Sequence, residues 1–292
     1  MNKSRTTKSS PGTGAQYINQ YEHHLDLKKN TLIPFKAEIS RKVINATCNW
    51  HDNIELLLFT EGKGTLRYGT ENIEVKRDIL AIINSQTMHS LSSEEGMTFC
   101  FIIIDNSFFE ENGIDISSLS FERLTSDTET FGKCLSLHDA YQSYKAEKKF
   151  LCAAKARQAA LELVIDLCTK YSSPKQTTGE KNNSSEKYIK QAMLYINDNY
   201  AEKITLDGIA RVIGINKSYF AREFKRITGY TFVSYLNLVR CERAKHLLAE
   251  TQMSIAEISH KCGFENQSYF SRAFLRIMGM LPSEYRRKKQ KI

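Results

Sequence analysis

The chain is predicted to be an α+β protein of two domains, a β-barrel with following helices and then an all-α unit. Three observations predict this. Residues 31 to about 105 hold a series of short segments rich in β-branched and aromatic residues. NKSYFAREFKRITG (216–229) recurs as NQSYFSRAFLRIMG (266–279), fifty residues on. Between these regions lies SSPKQTTGEKNNSS (172–185), a polar stretch of linker composition. At 292 residues, two domains are the natural size.

Residues 1–16 read as a polar, disordered tail. The first domain is expected over 17–171. Its strands are IELLLFT (54–60), TLRYG (65–69), NIEVK (72–76), ILAII (79–83) and MTFCFIIID (97–105), with turns at EGKG, GTEN and KRD between the first four. Many short strands with close turns build a small sandwich or barrel. The period then changes. In 150–171, Leu151, Ala154, Gln158, Leu161, Ile165 and Cys168 recur at three- and four-residue spacing, one face of an amphipathic helix. That stripe packs on the barrel or on the same helix of a second subunit, and the pattern alone does not choose.

After the 172–185 linker, the second domain spans 186–292. SEKYIKQAMLYINDNY (185–200) opens as a helix. Each copy of the repeat follows an apolar helix pattern and a glycine turn, LDGIARVIGI and IAEISHKCGF. Helix, short turn, helix, twice over, is a double helix-turn-helix. TFVSYLNLVRCERAKHLLAE (231–250) bridges the two units. Gly208 falls inside the first helix of the first unit, where glycine costs about 1 kcal/mol relative to alanine.

Charge follows the same division. Residues 184–292 carry 19 Lys+Arg against 10 Asp+Glu, whereas the rest of the chain is nearly balanced. The excess positive charge coincides with the repeat, the footprint that phosphate binding requires. In a helix-turn-helix the second helix enters the major groove, so the expected partner is DNA. Other classes are disfavoured. The seven cysteines are scattered and never spaced C-x-x-C, so neither a zinc finger nor a disulfide framework is expected. The longest apolar stretch is too short to span a bilayer, and the N-terminus lacks the apolar region of a secretory signal. A cytoplasmic protein without a membrane partner is the expectation.

Residues 184–292 resemble the DNA-binding domain of the AraC/XylS family. The resemblance rests on the two Ser-Tyr-Phe-x-Arg-x-Phe blocks, the Gly263-Phe264 turn and the terminal Leu281-Pro-Ser-Glu-Tyr-Arg286. Phe220, Phe224 and Ile227 share one helical face, as do Phe270, Phe274 and Ile277, and these are core positions. By resemblance, Ser218, Arg222, Ser268 and Arg272 match the base-reading positions, and arginine suits bidentate contact with guanine. Asn216, Lys217 and Gln267 lie at the N-terminal ends of these helices. Lys225, Arg226, Arg240, Arg276, Arg286 and Arg287 are further candidates for DNA contact, set against plain surface charge. Leu275 replaces the first unit's Lys225, so the two units are expected to contribute unequally.

Residues 51–89 resemble, more loosely, the cupin-like effector domain common in this family. Cupin metal sites take His-x-His, a Glu four residues later and a distant His. Here His51, Glu55 and His89 keep that order, and Asn49 occupies the first His position. The expectation is an effector pocket lined by His51, Glu55 and His89, with no metal and no cofactor.

The resemblance therefore implies a sequence-specific transcription regulator and no catalytic residues. Its expected partners are promoter DNA, RNA polymerase, a small-molecule effector and a second copy of the chain as homodimer, with activation the expected direction. The alternative from another class is a cupin metalloenzyme fused to a DNA-binding module.

Overall fold

The computed structural model describes residues 16–18, 32–175 and 183–289. The expected disordered tail, 1–16, lies outside them except at Gln16, as does the expected linker between 176 and 182.

The first domain is a curved sheet of eight strands. They are β1 (Gln16–Ile18), β2 (Phe35–Asn49), β3 (Ile54–Glu61), β4 (Lys63–Tyr68), β5 (Glu71–Lys76), β6 (Ile79–Ile83), β7 (His89–Ile104) and the short β9 (Leu124–Thr125). A separate strand, β8 (Leu119–Phe121), pairs with β10 (Ser172–Pro174). The order in the main sheet is β1-β2-β7-β3-β6-β9, with β4 pairing both β5 and β7. Except for the parallel β1–β2 pair, its neighbours are antiparallel.

β7 organises the barrel. Residues 98–104 pair with β3, and 89–92 pair with β4. The partner changes where β3 turns into β4, and there the chain needs Gly62 at φ +80°. A Cβ on Gly62 would stand 2.6 Å from the Gly96 carbonyl oxygen, so only glycine fits this crossing.

The apolar run Ile54–Phe59 is buried throughout because both faces of β3 are covered. Leu57 and Phe59 point into the barrel with Ala81, Ile83, Phe99, Phe101 and Ile103. Ile54, Leu56 and Leu58 face the opposite way, under α1 (Asn106–Glu111), α2 (Thr128–Glu147) and α3 (Phe150–Lys170). Each such fully buried side chain stabilises by roughly 1.5–3 kcal/mol.

The buried face of α3 differs from the stripe read in the sequence. Ala153, Ala156, Ala160, Leu163, Val164 and Leu167 are the residues that pack inward. Leu151 and Ile165 are more than half exposed, and Leu161 is only partly buried. Three alanines let the helix lie close to its neighbours, and burial of small residues is poorly visible in an apolarity pattern. The expected linker also begins later, because Ser172–Pro174 is already committed to the β8 pairing.

The second domain is helical: α4 (Asn183–Asn199), α5 (Leu206–Ile213), α6 (Lys217–Thr228), α7 (Phe232–Glu250), α8 (Ile255–Lys261), α9 (Gln267–Met278) and α10 (Pro282–Lys289). α5–α6 and α8–α9 are the two helix-turn-helix motifs. Thr205 caps α5 by accepting the Gly208 N–H at 3.0 Å, and Ser254 with Glu257 forms a reciprocal capping box on α8. Gly208 thus sits in the capped first turn rather than in a helix interior. The two motifs have separate cores. Phe220, Phe224 and Ile227 centre one, and Phe270 and Phe274 centre the other.

Candidate functional site

The two recognition helices, α6 and α9, are built alike. Asn216 caps α6, its Oδ1 accepting from the N–H groups of Ser218 (2.8 Å) and Tyr219 (3.3 Å). Asn266 caps α9 through Tyr269 N–H at 2.7 Å. The Asn216 oxygen is therefore engaged by its own helix. With the phenylalanines turned inward, each helix leaves a polar face outside. Lys217, Ser218, Arg222 and Lys225 are exposed on α6, and Gln267, Ser268, Arg272, Leu275 and Arg276 on α9. Arg222 stacks over the Tyr219 ring at 5.5 Å, which limits the swing of its guanidinium.

Three basic residues are occupied within the protein. Arg226 holds the buried Glu223 carboxylate through Nε and Nη2, at 3.0 and 2.7 Å. That contact keeps the Glu223 carboxyl below its usual range. Arg240 is 9% exposed, and it donates to the carbonyls of Tyr200 and Glu202, both at 2.8 Å. Its guanidinium lies 5.7 Å from the Phe264 ring centroid. It links the bridging helix to both motifs rather than facing outward. Arg286 donates to the Met253 carbonyl at 2.5 Å, while Arg287 is exposed.

Gly263 completes this latch. Its φ is +81°, and a Cβ there would lie 2.7 Å from the carbonyl oxygens of Tyr200 and Ala201. The second motif thus packs backbone to backbone on the loop that precedes the first. α7, 19 residues long, spans about 28 Å at 1.5 Å per residue. That is comparable with the roughly 34 Å between successive major-groove faces.

The first motif also sits on the barrel. Cys48 and Met88 are buried in its core beside Ile189, Met193 and Ile227. Asn45 Nδ2 donates to the Tyr230 hydroxyl at 2.8 Å, and Arg67 donates to the Arg226 carbonyl. Lys190 Nζ donates to the Gln86 carbonyl at 2.5 Å and lies 5.0 Å from the Trp50 ring centroid. Sequence reasoning missed these residues. Their only signal was weak: apolar and aromatic side chains (Cys48, Trp50, Met88) at strand ends next to the polar positions already singled out.

The structure brings His51, Glu55 and His89 together. Glu55 faces into the barrel from β3, His51 lies in the β2–β3 turn, and His89 begins β7. All three are at most 5% exposed. His51 Nε2 is 3.1 Å and His89 Nε2 3.0 Å from the same carboxylate oxygen, Glu55 Oε2. Each imidazole is turned by its other nitrogen: His51 Nδ1 donates to the Asn53 carbonyl at 2.8 Å, and His89 Nδ1 to the Thr87 carbonyl at 3.0 Å. Asn49 stands opposite His89 in the β2–β7 ladder, with its Oδ1 accepting from Trp50 N–H. Burial pushes the His51 imidazole below its ordinary pKa, and Glu55 only partly offsets this. Burial opposes ionisation of Glu55, yet the two imidazoles outweigh it and hold the carboxyl well below the usual carboxylate range. Among the described residues this is the one cluster of three or more His, Cys, Asp or Glu donors with metal-ligand spacing.

Comparison with known proteins accords with both halves. The sequence model described as "AraC-like ligand binding domain" matches residues 46–164, and that described as "Helix-turn-helix domain" matches 209–288. The Msm operon regulatory protein of Streptococcus mutans is 23% identical over 82% of this chain and 86% of its own length. The transposon Tn10 TetD protein of Escherichia coli is 40% identical over 35% of this chain and 73% of its length. The HTH-type transcriptional activator RhaS of Enterobacter sp. is 33% identical over 37% of this chain but only 38% of its own length. Among the described residues no helix is long and apolar enough to cross a membrane. A ligand-binding barrel followed by two helix-turn-helix motifs, each matched in order along the chain, makes this protein a member of the AraC family of transcription regulators.

Proposed function

We propose that the protein reads promoter DNA with α6 and α9 in successive major-groove turns and is a regulator without catalytic activity. One observation carries this reading: two exposed arginine-bearing helix faces are joined by a bridging helix that Arg240 and Gly263 hold in place. Ser218, Arg222, Ser268 and Arg272 are the base-reading set. Lys217, Lys225, Gln267, Arg276 and Arg287 supply backbone contacts. Asn216, Arg226, Arg240 and Arg286 serve mainly to build the reading surface.

The barrel is the sensing half, and its seating on the first motif is the route by which a bound effector changes DNA binding. Direct contact with RNA polymerase and activation of transcription complete the proposal, in line with the activator named among the relatives. The exposed Phe150, Leu151 and Ile165 on α3 fit a second copy of the chain, so the working unit is a homodimer.

Binding-site selection with the full chain tests the reading. Arg222→Ala and Arg272→Ala should each cost about 1–3 kcal/mol and relax the selected sequence at different positions. Unchanged selected sequences in both variants would refute the assignment of these residues.

A further inference from the structure

The geometry points to a divalent transition-metal site at His51, Glu55 and His89, held by the two Nε2 atoms and the Glu55 carboxylate. The argument begins with the tautomers. A carbonyl oxygen only accepts, so both Nδ1 atoms carry their protons, at 2.8 and 3.0 Å from Asn53 and Thr87. In a neutral imidazole the remaining nitrogen, Nε2, then presents a lone pair. Both Nε2 atoms lie within 3.1 Å of one anionic oxygen. Lone pairs facing a buried carboxylate repel unless positive charge lies between them.

A proton on each imidazole would supply that charge but would leave two buried atoms unsatisfied. His89 Nε2 is close to Glu55 yet makes no well-directed hydrogen bond, and Glu55 Oε1 has no hydrogen-bond partner. A divalent cation satisfies all these atoms at once. Ligands about 2.1 Å from a tetrahedral ion lie about 3.4 Å apart, close to the separations here. Two imidazoles and a carboxylate suit zinc and neighbouring first-row ions. The Nδ1–H to carbonyl bonds are the outer support that fixes imidazole ligands for a metal.

The cysteines do not compete. Cys48, the thiol nearest in sequence, is pushed up to about 12 by burial and stays protonated. Asn49 takes the place where a third imidazole was looked for in the sequence, so three protein ligands leave a coordination position open to a small molecule. The expectation of a metal-free polar pocket rested on that asparagine. This inference rests on the sensing role proposed for the barrel but not on DNA binding.

The test uses the full chain, stripped with chelator and dialysed, then titrated with Co(II) and Zn(II). Visible d–d absorption and elemental analysis give the stoichiometry, and thermal melting reports the fold. One equivalent should bind and raise the melting temperature. His89→Ala and Glu55→Gln should weaken binding at least tenfold, and His138→Ala, on an outer helix, should leave it unchanged. Glu55→Gln keeps the shape of the side chain and guards against a variant that merely misfolds. A folded wild-type chain with neither Co(II) absorption nor a Zn(II)-dependent melting shift would overturn the proposal. So would equal binding by the wild type and a folded Glu55→Gln variant. Operator binding by the same samples, measured separately, shows whether the regulatory reading stands or falls on its own.

Discussion

Among single residues, Arg240 shows how environment reassigns a side chain. A basic residue in a DNA-binding domain suggests phosphate, but this guanidinium is inside and its hydrogen bonds go to Tyr200 and Glu202. Arg240→Ala would leave two carbonyls short of a donor and cost about 1–3 kcal/mol of stability. Denaturant unfolding of the variant should show that loss. Meanwhile the salt dependence of DNA binding should keep its slope, because no phosphate contact has gone. A slope reduced by about one unit would instead place Arg240 on the DNA. Arg222, 70% exposed, is the contrasting case: it stacks on Tyr219 and lies 3.6 Å from a Glu223 carboxylate oxygen, yet most of its side chain faces outward.

For whole elements, the outcome depends on which face packs and how closely. Gly263 lets the second motif touch the loop at 200–201 backbone to backbone. Gly263→Ala faces both a left-handed φ and contacts under 3 Å, so the expected cost exceeds about 1 kcal/mol. The two motifs should lose their fixed spacing. DNA affinity for a site offering both major-groove contacts should then fall more than affinity for a site carrying one, in a binding titration on both. α3 offers a second case. Its inward face is alanine-rich, and Leu151 and Ile165 lie outside. Leu151→Glu with Ile165→Glu should yield a folded monomer by sedimentation and circular dichroism. A dimer that persists would remove α3 from the interface. Leu161, another residue of the stripe read from the sequence, is partly packed on the subunit core and is the poorer probe.

On the scale of the whole molecule, the barrel and the first motif share a core. Met88 and Cys48 are buried among residues of α4, α6 and α7, each next in sequence to a residue of the polar cluster or its Asn49 neighbour. Strands are stiff over one or two residues, so a change at His89 or His51 is felt at Met88 and Trp50. Lys190→Glu would remove a donor to Gln86 and the stacking on Trp50, and Met88→Asp would place a charge in the shared core. Small-angle scattering of the double variant should show a larger radius of gyration. Amide exchange should quicken in α4 while α9 keeps its protection. Equal loosening of both motifs would mean that the barrel supports the entire helical half.

The sequence by itself determined a great deal here. The repeat at 216–229 and 266–279 specified two helix-turn-helix motifs. Their phenylalanine spacing specified which face is core, because a helix of 3.6 residues per turn leaves little choice. Five strands were legible from composition and turns, as was the order His51, Glu55, His89. The long β2 was not singled out, since its apolar residues alternate with polar and charged ones. The second helix after the barrel, α2, was not singled out either. What only the tertiary structure decided concerns contacts between segments distant in the chain. Register along β7 carries His89 to Glu55, and hydrogen bonds to Asn53 and Thr87 turn both imidazoles onto one carboxylate. Close backbone approach at Gly263 spends Arg240 on a latch. These outcomes depend on distances of a few tenths of an ångström between residues tens of positions apart, and local periodicity carries no record of them.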